Sequence, residues 1–229
     1  NGSNSKQLSY FEGITEKETA FAPIIRSYLE SKHIDTLHSW GNFDQGGFKR
    51  NYAERGVEVL AKYNFNIPVW VNHGINLNYQ KIGDYPNMYG DDPTHHCYHT
   101  DLFHDSGIEF VWTGKATHVI GQNGRKNISI LSKLFIQKLM RKTKYKHVED
   151  PIYNYDNNLI NPLLLRDGNK IWEFIRFINS WGRAGELDFY EFVEQIKTQN
   201  LKRLIKNQGI MILYTHFNEN LSGKIPIKL

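Results

Sequence analysis

Three histidines stand where a β-branched or aromatic run ends: His38 after residues 34–37 (IDTL), His73 after 68–72 (PVWVN) and His216 after 210–215 (IMILYT). Imidazole is the side chain best suited to move a proton near neutral pH or to ligate a metal. In parallel α/β sheets, the ends at which strands finish are where ligands bind. The residues just beyond the first run, HSWGNFDQGG, add Ser39, Trp40, Asn42 and Asp44 before a glycine pair that lets the backbone turn sharply. Asn72 and His73 occupy the corresponding place after the second run. Trp40, Trp70 and Trp112 offer flat aromatic faces that match the apolar face of a pyranose, with Trp70, in mid-strand, the one best placed for the core. A second dense stretch, HHCYHTDLFH at 95–104, puts His95 and His99 one helical turn apart, a spacing at which two imidazoles can share a metal. His99 and Asp101 start close to the same rim, and Arg176 on a strand reaching it would orient a carboxylate.

The elements that must position these groups alternate short strand-like runs with helical patterns, the signature of strand–helix repeats around a largely parallel sheet. Strands are predicted at 8–12, 34–38, 68–72, 108–113, 116–120, 170–179 and 210–215, and helices at 22–32, 52–63, 94–106, 133–146 and 188–206. Asp92-Pro93 supplies helix-start chemistry for the third of these helices, and Gly107 and Gly209 read as helix stops. Residues 74–93 form a long turn-rich stretch, expected to lie over the histidine rim. Residues 147–168 read as irregular. No repeat and no low-complexity tract interrupts the chain, which reads as one domain over residues 1–229, complete or a fragment of a longer protein.

Composition narrows the class. Hydrophobic residues make up 40% and charged residues 23%, close to soluble globular averages. No apolar run reaches the roughly 18 residues that span a bilayer, and the first residues, NGSNSKQ, carry no targeting pattern, so cytoplasm and cell envelope both stay open. The net charge of +4 is spread thinly except in KLFIQKLMRKTKYK at 133–146. That segment reads as an amphipathic helix with Leu134, Ile136, Leu139 and Met140 inward and its cations in solvent, not as a nucleic-acid footprint. The one cysteine, Cys97, permits no internal disulfide and no cysteine-based zinc site.

In motif order the chain resembles the polysaccharide deacetylases of the NodB-homology type. LSYFE and the helix after it look like that family's second strand and helix. HSWGN is similar to its metal-binding H-[ST]-x-x-H, with His38 and Ser39 matching and Asn42 where the second histidine would stand. IMILYTH looks like its final strand motif, with His216 as the general acid, while PVWVNHG fills the place of the arginine-bearing motif without matching it. The family's first motif, with its two aspartates, would lie upstream of Leu8. The resemblance implies an irregular (β/α) barrel, a divalent metal, usually zinc, held by His38 and Asn42, and an N- or O-acetylated saccharide as substrate. It also implies a metal-bound water as the attacking group. Two other readings stay open: a saccharide-binding barrel that has lost catalysis, favoured by Asn42, and a glycoside hydrolase using two of Asp44, Asp101 and Glu109. A scaffolding protein is the third, opposed only by the rim histidines.

Overall fold

The computed structural model describes residues 9–15, 17–43, 47–72, 77–83, 87–125, 127–143, 157–177 and 189–214. His73, Asp44 and His216 lie outside the described residues. The chain divides into two compact units, Asn1–Thr113 with Pro162–Glu173, and Gly114–Asn161 with Phe174–Leu229.

In the first unit, helix α1 (Ala22–Glu30) starts with Pro23 in its first turn, where a missing N–H costs nothing, and turns Ala22 and Ile25 inward. Strand β1 (Thr36–Leu37) follows, then α2 (Arg50–Tyr63), whose left-handed cap falls on Asn64 (φ 54°). Strands β2 (Val69–Val71) and β3 (Phe110–Trp112) run parallel to β1 and to each other. A short helix, α3 (Phe103–Ser106), precedes β3. Beyond β4 (Ala116–Thr117) and helix α4 (Ile128–Thr143), the hairpin β5 (Ile160–Leu164) and β6 (Lys170–Phe174) brings the chain back beside β3. The sheet order is β1-β2-β3-β6-β5, with β3 and β6 parallel. The tight turn between β5 and β6 requires those two to be antiparallel. The molecule is thus a mixed α/β protein with a parallel-rich sheet.

Registers across that sheet fix which side chains share a face. Leu37 pairs with Trp70, Trp70 with Val111 and Val111 with Glu173, making one row of four. Trp70 and Val111 are fully buried in a core shared with Trp40, Phe48, Ile82 and Phe103. Side chains alternate along a strand, so Asn72 and Thr113, two residues beyond Trp70 and Val111, lie on the same face at the edge where the strands end.

The second unit pairs β4 in parallel with β7 (Arg176–Phe177) and carries α4, α5 (Phe189–Ile196) and α6 (Thr198–Asn207). The expected single helix over 188–206 is two helices. Lys197 leaves helical geometry (ψ 148°), and the Asn200 amide donates to the carbonyls of Glu194 and Gln195 that the break exposes. Gly209 is not the helix stop: Gln208 takes the left-handed cap (φ 52°), while a Cβ on Gly209 would run into the backbone of Gly121. Helix α4 also differs from expectation. Ile130 is its buried residue and Lys133 is half-buried, its Nζ 3.4 Å from the His118 carbonyl, whereas Leu131, Phe135, Ile136 and Leu139 are exposed.

In the described parts of two expected strands only isolated bridges form. In the 8–12 run, Phe11 makes an isolated antiparallel bridge with Glu18, and in the 210–215 run Ile210 does the same with Gln122. Residues 170–174 and 176–177 are strand as read, in β6 and β7, but residues 160–164, expected to be irregular, form β5. Residues 94–99 are turns. Asp92 does accept from the Thr94 backbone (3.0 Å) as a cap would, yet helix begins only at Thr100, because the amides of His99 and Thr100 are both spent on the carbonyl of Gly90.

Candidate functional site

The edge where β1, β2, β3 and β6 finish is roofed by two loops, and three side chains rivet them. Gln80 is completely buried; its Oε1 accepts from the Trp40 backbone at 2.8 Å and its Nε2 donates to the Gly41 carbonyl at 2.8 Å. The Asn72 amide holds Ile82 from both sides, donating to its carbonyl (2.9 Å) and accepting from its N–H (3.1 Å), with Trp70 Nε1 as a third partner (3.0 Å). His99, also fully buried, accepts from Trp40 Nε1 at Nδ1 (3.1 Å), which assigns the proton to Nε2, donating to the Gln80 carbonyl at 2.7 Å. Burial holds this imidazole neutral, pulling it down to about 4. The roof is closed by an ion pair in which the exposed Arg166, on the β5–β6 turn, binds the buried Asp91 at 2.6 Å, and by Thr100, which donates to Asp167 at 2.7 Å.

These bonds decide what several sequence candidates do. His99 has both nitrogens hydrogen-bonded inside the core, and among the described residues it is not grouped with His95 as a metal donor. Trp40 is 9% exposed and packs its ring on Trp70, leaving no face for a sugar. Asn72 braces the roof. Asp101 is exposed and held bidentate by Arg50 at 2.7 and 2.8 Å, and that guanidinium keeps its carboxyl below the usual range. His38 and Asn42 are exposed, and Trp112 is half-buried at the end of β3. Arg176 belongs to the second unit, where it is half-buried, its guanidinium over the Tyr214 ring at 4.6 Å and pushed down to about 10 by burial.

The sequence pattern picked no site residue on β6, yet that strand carries a buried carboxylate. Glu173 is 2% exposed, on the core face of β6, in the row of Leu37, Trp70 and Val111. The Thr113 hydroxyl, at the strand-end edge, donates to its carboxylate. Glutamate is seldom this buried unless it is partnered, and one bonded to a hydroxyl at the strand-end edge is a functional candidate. At the far end of the same sheet, after β1, Ser39, 3% exposed, sits in the left-handed region (φ 59°), its Oγ donating to the Val71 carbonyl (3.0 Å). Non-glycine residues in that region cluster at functional sites. The signal for Glu173 was available as a period of two, since Ile171 and Glu173 are buried while Lys170 and Trp172 between them are exposed.

Among the described residues, one group has the geometry to hold a metal ion: His95, His96 and Cys97, whose donor atoms all lie within 4.8 Å of one another. It includes neither His38 nor Asn42, and it does include the cysteine that composition alone had set aside. His95 lies flat on Tyr89 (ring centroids 4.0 Å, 16°), and its Nδ1 accepts from the Cys97 backbone at 3.2 Å. Burial pushes the Cys97 thiol up to about 11, so without a metal it is a protonated thiol and no nucleophile.

No family model, no curated protein and no solved structure matches this chain. Among the described residues no helix is long and apolar enough to cross a membrane.

Proposed function

We propose that the chain is a carbohydrate-active hydrolase, an irregular (β/α) barrel of the polysaccharide-deacetylase kind, that removes acetyl groups from a saccharide at the edge where β1, β2, β3 and β6 end. The observation that supports it is the buried Glu173–Thr113 pair on that edge. In this reading Glu173 takes a proton from water as the water oxygen bonds to the acetyl carbon. The carbon–nitrogen or carbon–oxygen bond to the sugar then breaks, and the proton passes to the departing sugar atom. His38 meets the sugar hydroxyls from the rim. The implied zinc or other divalent cation finds no ligand set in His38 and Asn42 alone, since among the described residues no third donor is grouped with them. The reaction is therefore written through the chain's own groups.

Incubation with a panel of N- and O-acetylated oligosaccharides tests this, with acetate and new reducing ends measured in parallel. Acetate without new reducing ends is expected. New reducing ends without acetate would replace the reading by glycoside hydrolysis, and neither product with any saccharide would remove it.

A further inference from the structure

We infer that His95, His96 and Cys97 form a site for a borderline-soft transition-metal cation of the zinc type, independent of the saccharide reading. Two imidazoles and a thiolate are the donors such ions prefer, and three protein ligands leave a fourth tetrahedral position for water. Around one zinc ion, bonds of about 2.0–2.3 Å put neighbouring donors roughly 3.5 Å apart. The present limit of 4.8 Å thus asks for a contraction of about one ångström. His96 can supply it, being exposed, with its ring centroid 4.2 Å from that of His95.

The other two donors adjoin it in the same turn. Nδ1 of His95 accepts from the Cys97 backbone N–H at 3.2 Å, so its proton sits on Nε2, the tautomer in which Nδ1 can take a metal once that bond is given up. The ring is held in place by Tyr89. Cys97 is fixed by burial, and its Sγ spends only a long contact of 3.4 Å on the Phe48 carbonyl. Binding exchanges that contact for a metal–sulfur bond and releases the thiol proton to solvent. The turn at 94–97 makes the grouping possible: a helix through these residues would carry His95, His96 and Cys97 to different faces.

Cobalt(II) alone is the probe, added to the whole purified chain. Because the sequence holds a single cysteine, sulfur-to-cobalt charge-transfer absorption reports Cys97 and nothing else. One equivalent of Co²⁺ should bind with that absorption and be displaced by Zn²⁺. His96→Ala, at an exposed position, should leave the melting temperature unchanged and weaken Co²⁺ by at least the roughly 10- to 100-fold that loss of an outer-sphere partner costs. Cys97→Ser should abolish the absorption. Uptake without sulfur absorption, no uptake at all, or equal affinity in wild type, His96→Ala and His95→Gln would each overturn the assignment.

Discussion

His99 carries a pH dependence that follows from its place between Trp40 and Gln80. Protonation would put a second proton on Nδ1, facing the Trp40 N–H that now donates to it, and would charge a group with no exposed surface. The folded-state value is about 4, against about 6.5 when the chain unfolds. Between these two values the unfolded chain binds the extra proton and the folded chain does not, so stability falls as pH drops through that window and is fully present above it. The loss approaches about 3 kcal/mol at its lower end. Denaturant titrations at pH 7.5, 6 and 5 check this, with His99→Asn as the reference that separates it from the other histidines. Wild type should lose stability faster than the variant as pH falls; equal slopes would contradict the buried neutral imidazole. In the sequence His99 was legible as a chemical group but not in its role, because its partners lie 59 and 19 residues away.

The roof between β2 and β3 depends on backbone passing close to backbone, and Gly90 is where it is tightest. A Cβ there would strike the Gln80 carbonyl and come within 2.7 Å of His99 Nε2. Neither can give way cheaply, since each is bonded to the other. Gly90→Ala should cost about 1–3 kcal/mol, roughly 2–4 °C in melting temperature per kcal/mol for a chain of this size. A melting temperature within a degree of wild type would mean that the roof is looser than described. Elements with a plain period were legible: α1 and α2 from their apolar faces, β2 and β3 from short β-branched and aromatic runs. The turns at 94–99 were not, because a cap-like Asp92 and closely spaced histidines imitate a helix start, while the deciding bonds to Gly90 are tertiary. The break at Lys197 was hidden for a similar reason: no glycine or proline marks it, and what stabilises it is the side chain of Asn200.

For the whole molecule, the alternation of strands and helices was enough to predict a parallel-rich α/β arrangement and to draw attention to the strand ends. It was not enough to order the strands. Placing β6 beside β3 depends on a hairpin from residues that read as irregular, and that hairpin delivers Glu173 to the edge. Of the residues proposed from sequence, His38 and Trp112 lie at the strand-end edge, Trp40, Asn72 and His99 are buried and hydrogen-bonded in the roof, and Asp101 is tied to Arg50. The proposed chemistry therefore rests on Glu173, and the direct test is acetate release by Glu173→Gln. Gln keeps the volume and still accepts from Thr113, so the melting temperature should stay close to that of wild type while the rate falls about 10²- to 10⁴-fold, the usual worth of a general base. A folded Glu173→Gln variant releasing acetate at the wild-type rate would contradict the account.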